Sequence, residues 1–272
     1  MIPSPPPRPL RYTAPVPGVT ATVITLNESA LIEAALQSVA WADEIVVVDA
    51  RSTDDTVEKA RRFTDRVIVR DWPGFVAQKN YAASIAANDW IFSLDADERV
   101  TPALAGEIRA LLASEPVCTG YRVPRVSHYL GRWIRSTDWY PDLQLRLYDR
   151  RRAQWAGRYV HESVQAEGEV GRLRADLEHY PYRDVSHHLQ TIDKYTTLAA
   201  RQMHEDGRRT GPLRIVAHGD AAFLRNYLLR GGFRDGAPGL IVSLLNTFYV
   251  ALKFVKLWEL GKESEDRSQT SE

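Results

Sequence analysis

From Val19 to about Ala113 the chain alternates between two hydrophobic periods, and this alternation restricts its fold more than any other feature. T-A-T-V-I-T-L, E-I-V-V-V-D, D-R-V-I-V-R and W-I-F-S-L-D are short β-branched or apolar runs, suited to strands buried on both faces. Helix-like segments separate and follow them: Leu31 to Val39, Thr56 to Phe63, Phe75 to Ala87, and Pro102 to Leu112. Thr101 is positioned to cap the last, with Pro102 at its first helical position. Strands alternating with helices imply right-handed βαβ units, hence an α/β fold with a mostly parallel central sheet flanked by helices. Ligands of such sheets sit beyond the carboxyl ends of the strands.

Those carboxyl ends carry the polar residues. Asn27 and Glu28 follow the first run, Asp49 ends the second, and Asp95 and Asp97 end the fourth within F-S-L-D-A-D-E. Three carboxylates within four residues repel one another, so a positive charge is expected opposite them. Polar residues at strand ends would explain any one group, but not the convergence of three.

From Cys118 to about Glu178 the pattern is irregular and aromatic, with Y-R-V-P-R-V, D-L-Q-L-R-L-Y and W-A-G-R-Y-V-H-E as expected short strands. Helices are expected from Val185 to Glu205, Leu213 to Leu229 and Leu240 to Leu260, separated by glycine-rich breaks. Residues 1–17 form a proline-rich lead-in expected to be disordered; they lack the unbroken apolar stretch of a secretory signal. The polar residues 262–272 are expected to be a disordered tail. The 35 basic and 35 acidic residues balance, so net charge offers no argument for a nucleic-acid partner. The single cysteine, Cys118, excludes an intramolecular disulfide and fits a reducing compartment.

Four linked motifs, T-L-N-E, V-V-V-D-A-R-S-T-D-D-T, Q-K-N-Y-A and L-D-A-D-E, resemble the inverting glycosyltransferases of family 2, which have a GT-A (Rossmann-like) fold. The later V-H-E, H-Y-P-Y and G-G-F-R-D-G-A-P-G-L are similar to the lipopolysaccharide core β-1,4-glucosyltransferase subgroup. The resemblance implies a catalytic domain over 18–184, with a nucleotide-sugar-binding half (18–115) and an acceptor half (116–184), followed by a helical region over 185–261. It also implies a nucleotide-sugar donor, with UDP-hexose expected, and a divalent cation. Hard ions such as Mg2+ or Mn2+ want oxygen ligands, which Asp95 and Asp97 would supply if the segment stays extended and points both to one side.

Within D-A-D the resemblance implies that Asp97 meets the metal directly, while Asp95 meets the ribose or a coordinated water. Asp49 would accept the N3 hydrogen of uracil, with Thr25, Asn27 and Glu28 framing base and ribose. Ser52 and Asp54 suit bracing of the loop, since short polar side chains satisfy turn and helix-start amides. Arg51 stands where the family often has glycine. Gln78, Lys79 and Asn80 form the third motif, with Lys79 able to face the diphosphate.

Inversion needs a base for the acceptor hydroxyl. Glu162 is the first candidate and Asp142 the second; His161 would orient Glu162 or approach the metal. Trp133, Trp139 and Tyr140 could stack on an acceptor sugar, and Arg135 and Arg146 could meet phosphate on a lipid-linked glycan or lipopolysaccharide-core acceptor. Packing within the domain is the simpler reading for each ring alone.

Leu240 to Leu252 carries no charge, but spanning a bilayer takes about 20 mainly apolar residues. The preceding F-L-R-N-Y-L-L-R-G-G-F-R mixes arginines with large apolar groups, the profile of a helix at a lipid surface. On composition a buried or oligomer-forming helix is equally open; the lipid-linked acceptor that the resemblance implies is what favours peripheral contact, at the cytoplasmic face of the inner membrane. Three other readings compete with transfer of a single sugar. A sugar nucleotidyltransferase would carry a glycine- and arginine-rich loop where this chain reads L-N-E-S-A-L. A non-catalytic membrane-associated scaffold would have no need of intact D-A-D and V-H-E. A processive synthase would normally carry several spanning helices and Q-x-x-R-W, where this chain has L-Q-L-R-L-Y.

Overall fold

The fold comes from a computed structural model that describes residues 16–157 and 162–269, the last seven as helical backbone alone. Strands β1 (Val19–Thr25), β2 (Glu44–Asp49), β3 (Val67–Val69) and β4 (Trp90–Asp95) pair in parallel, in the order β3-β2-β1-β4. Helices α1 (Ile32–Ser38), α2 (Thr56–Ala60) and α3 (Phe75–Ser84) make the crossovers. Every residue of β1 is buried, threonines included, as in a strand covered on both faces. The strands and helices expected between Val19 and Ala113 are all present, though α2 and α3 each stop three residues short of the expected end.

After β5 (Glu98–Val100) comes α4 (Pro102–Ala113), with Pro102 in its first turn and Thr101 accepting from the Leu104 amide at 3.2 Å. Then follow β6 (Gly120–Tyr129), β7 (Arg132–Ile134), β8 (Asp142–Asp149), β9 (Ala153–Ala156), β10 (Ser163–Ala166), β11 (Val170–Arg172) and β12 (Leu177–His179). β8 joins β4 antiparallel and β6 joins β8 antiparallel, so the ten-stranded sheet is parallel on one side and mixed on the other. W-A-G-R-Y-V-H-E is not a single strand. β9 ends at Ala156, and Glu162 directly precedes β10; residues 158–161 lie outside the described residues.

Two registers build the site. Phe92 of β4 pairs with Leu147 of β8, which carries Arg146 alongside the end of β4. His179 of β12 pairs with Glu98 of β5, one residue beyond Asp97.

The remaining chain is helical: α5 (Val185–Glu205), α6 (Pro212–Phe223), a π-helical stretch (Leu224–Leu229), a 3-10 turn (Gly232–Asp235) and α7 (Gly236–Gln269). α7 therefore runs well into the segment expected as a tail. It docks on the α/β domain through Val242, wholly buried in a cluster with Tyr129 and Ile134. Full burial of such a side chain is worth about 1.5–3 kcal/mol. Further on, Leu257 packs against Ala200 and Met203 of α5.

Candidate active site

A cavity of ≈ 870 Å3 opens where β1 and β4 end, with Thr25, Glu28, Lys79, Asp95, Asp97 and Glu162 on its near side. The far side comes from the helical region, including Thr191 and Tyr195 of α5 and Tyr249 of α7.

The three carboxylates of D-A-D-E meet different fates. Asp95 accepts from Lys79 Nζ at 2.7 Å through one oxygen and from Arg146 at 2.6 Å through the other. Glu98 is fully buried and accepts from Arg146 at 2.5 Å, Arg125 at 2.9 Å and the Asp95 amide at 3.0 Å. Arg125 continues the chain to Asp142, at 2.6 and 2.9 Å. Three cations thus face three carboxylates. The positive charge expected from a metal is, for Asp95 and Glu98, the protein's own. Burial alone would push the Asp95 carboxyl upward; Arg146 and Lys79 outweigh it and hold the group well below the usual carboxylate range.

Asp97 stands apart. It lies in a turn after β4 and not on an extended strand, and its carboxylate sits 3.3 Å from His179 Nε2. No group of three or more metal-ligating side chains occurs among the described residues. Asp97 and His179 could thus supply two ligands, with substrate phosphates and water completing the shell, which suits Mg2+ or Mn2+. The donor set fits such an ion. Asp95, expected as a second ligand, has both oxygens committed. His161 lies outside the described residues.

Glu28 is half-buried, and its carboxyl is pushed up to about 7, first by burial and then by the charge of Asp97. The hydroxyl of Thr25 is buried at the cavity with no partner among the described residues. The side-chain amide of Gln78 is also buried with no partner among the described residues, but Gln78 does not line the cavity. Asn80 makes two 2.9 Å bonds to the Trp155 backbone, and Lys79 Nζ lies 4.1 Å above the Trp155 ring.

Asn27, Asp49, Ser52 and Asp54 brace the loops and do not line the cavity. Asn27 accepts from the Thr53 amide at 2.8 Å and its own amide donates to Ser52 Oγ at 2.8 Å. Ser52 donates to Asp49 from its amide at 2.8 Å and its hydroxyl at 2.5 Å, so the wholly buried Asp49 is directed into its own loop. Asp54 accepts from the Thr56 amide at 3.0 Å, at the start of α2, and from the Ser29 amide at 3.2 Å. Arg51 has φ 61°, the left-handed conformation that costs a non-glycine residue about 1–2 kcal/mol.

Glu162 lines the cavity, half-exposed, and its charge helps raise the Tyr195 hydroxyl across from it, burial being the larger cause. Asp142 is less free. Arg125 takes one oxygen and Gln144 the other at 2.7 Å; burial would raise its carboxyl, but Arg125 and Gln144 pull it below the usual range.

Among the expected acceptor residues, Trp139 and Arg146 line the cavity, but Arg146 is already paired and 2% exposed. Trp133 packs outside it against His128 and Tyr180. Arg135 and the Tyr140 hydroxyl both turn to Asp176, at 2.8 and 3.0 Å. The sequence does not single out Arg125 or His188, and H-Y-P-Y, which supplies His179 and Tyr182, carries no expected site role. Tyr182 stacks on His188 with ring centroids 3.8 Å apart, and His188 Nδ1 lies 3.0 Å from the Tyr129 hydroxyl. Burial, aided by His187, lowers His188 to about 4, so it is neutral near pH 7. A signal existed: His188, Thr191, Ile192 and Tyr195 recur at helical spacing on one face of α5, and all line the cavity.

Residues 20–179 match the description of Glycosyl transferase family 2. The chain is 30% identical over 89% of its length to the lipopolysaccharide core biosynthesis glycosyltransferase LpsC of Rhizobium meliloti, covering 92% of that protein. It is 29% identical to an uncharacterized glycosyltransferase of Rickettsia typhi, over 91% of this chain and 89% of the other. Among solved structures, the mannosyltransferase PcManGT of Pyrobaculum calidifontis, in complex with GDP-Man and Mn2+, superposes with a TM-score of 0.52 at 16% identity, covering 89% of this chain and 88% of that one.

Proposed function

This chain belongs to glycosyl transferase family 2, and from that premise we propose that it moves a single sugar, with inversion, from a nucleotide-sugar to a lipid-linked glycan of the lipopolysaccharide-core type. The observation that carries the reading is the division of labour in D-A-D-E. Two carboxylates are neutralised internally, while Asp97 faces the cavity beside His179, where a parallel sheet presents its ligands.

Asp97 and His179 would hold the divalent cation, which would supply Lewis-acid stabilisation of charge on the departing diphosphate. Lys79, anchored on Asp95 and backed by the Trp155 ring, adds a fixed cation on the same side. Thr25 offers its hydroxyl, unpartnered among the described residues, to the donor, and the braced loops after β1 and β2 hold the base side in shape. Glu162 takes the proton from the acceptor hydroxyl; Asp142, held ionised by Arg125 and Gln144, is the weaker candidate. The acceptor sugar lies against Trp139 and Tyr182.

The exposed apolar side of the helical region fits peripheral contact with the cytoplasmic face of a membrane. Leu213 is 88% and Leu229 83% exposed, and Arg225, Arg230 and Arg234 lie in the same stretch. Residues 232–262 are long and apolar enough to cross a bilayer by length and composition, but their lysines and docked face favour a surface position.

A thermal-shift screen of UDP-, GDP- and dTDP-sugars, with and without Mn2+, tests the reading. A bound donor raises the melting temperature with the logarithm of its concentration. UDP-hexose is expected to do so in Mn2+; no response to any donor would defeat the proposal.

A further inference from the structure

The segment between β7 and β8 carries Trp139, and the helical region grips it almost residue by residue. The Arg135 amide and the Ser136 hydroxyl donate to Asp235 Oδ2, at 3.0 and 2.5 Å. The Thr137 amide donates to the Arg230 carbonyl at 3.3 Å. The Asp138 amide donates to Asn226 Oδ1 at 2.6 Å. The Asp138 carboxylate then accepts from Arg225 at 2.7 Å, Asn226 at 3.0 Å, Asn246 at 3.2 Å and Arg230 at 3.0 Å.

Two details mark this as more than ordinary packing. Thr137 is fully buried at φ 62°, a conformation that a β-branched residue keeps only where its surroundings dictate it. Asn226, also fully buried, sits in the π-helical stretch, a distortion that recurs at functional sites. The wider turn presents Asn226 to Asp138 while Arg225 and Arg230 reach the same carboxylate. Asn246 and Trp139 both line the cavity, so the grip ends at the acceptor side.

We propose that Asp138 is a positioning residue through which the helical region sets Trp139 in the acceptor wall, leaving the donor side independent of it. The acceptor role of that wall rests on the function proposed above. The placement of Trp139 does not. Specificity for the acceptor would then be set by contacts outside the matched residues 20–179, from Arg225 to Asn246.

The test reads Trp139 directly. Labelling with 5-fluorotryptophan gives each of the seven tryptophans its own 19F signal, and Trp139→Phe identifies one of them. Asp138→Ala is compared with the milder pair Arg225→Ala and Arg230→Ala, whose side chains are half-exposed. The expected result in both is a shift of the Trp139 signal toward that of solvent-exposed tryptophan, with the other signals in place. UDP with Mn2+ should still raise the melting temperature as in the wild type. A Trp139 signal that stays in place in both variants would overturn the inference. So would loss of the UDP response together with the shift, because Asp138 would then merely hold the fold. If wild-type protein ignores every nucleotide, the proposed function fails, and the fluorine signal alone decides this point.

Discussion

Arg146 donates to Asp95 at 2.6 Å from inside the protein, where only 2% of it meets solvent. The same guanidinium reaches Glu98 at 2.5 Å, so one buried cation holds two acidic groups of the F-S-L-D-A-D-E run. Breaking a buried ion pair by removing one partner costs about 3–5 kcal/mol, because the other charge stays behind unpaired. Arg146→Met should therefore lose about that much stability in urea unfolding. A loss within the small range of surface substitutions would show that the pair does not organise the site.

Asp95 and Asp97 should separate under the same substitution. Asp95→Asn leaves Lys79 and Arg146 facing a neutral group and should lower the melting temperature in the absence of any ligand. Asp97→Asn should melt near the wild type yet lose Mn2+-dependent stabilisation by UDP. Equal effects of the two variants on both readings would contradict the division of roles.

Glu162→Gln keeps the size and polarity of the side chain but cannot take a proton. Turnover should fall by about 10²–10⁴-fold, the contribution typical of a general base. UDP-sugar binding, read by thermal shift, should stay close to wild type. Undiminished turnover would transfer the role to another residue.

Glu28 predicts a pH dependence. Its carboxyl is pushed from an ordinary 4.5 to about 7, so between those values the folded protein holds a proton that the unfolded chain has lost. Glu28 thus adds stability at low pH and withdraws it as the pH rises through 7. Glu28→Gln should melt like the wild type near about pH 5 and above it near about pH 8. A difference constant across that range would remove the raised carboxyl from the account.

The lipid-facing reading predicts that binding to anionic vesicles weakens with salt and with Leu229→Ser and Phe233→Ser, whose parent side chains are 83% and 50% exposed. Flotation with vesicles measures it. Binding indifferent to both changes would place the contact elsewhere.

The parallel half of the sheet was legible because its signals are local. The runs ending at Thr25, Asp49 and Asp95 are strands, and Thr101 caps α4 by the means its sequence suggests. The contents of the site were legible only in part, because partners distant in sequence decide them. Nothing near Asp95 in the sequence announces Lys79 from 16 residues away or Arg146 from 51. His179 reaches Asp97 only because β12 pairs with β5, a register set by non-local contacts. Trp133, Arg135 and Tyr140 share a segment with Trp139, yet the chain turns three of the four side chains to partners outside the cavity. The extent of α7 escaped for a different reason: its polar end reads as tail when judged by composition, whereas its helix continues to Gln269.

Calorimetric titration of UDP into wild-type protein and Asp97→Ala, in Mn2+ and again in EDTA, bears most directly on how this site holds its donor. Binding to the wild type in Mn2+, lost on chelation and lost in the variant while its melting temperature stays unchanged, is the predicted result. UDP binding that survives both the chelator and the substitution, or its absence from wild-type protein in Mn2+, would contradict it.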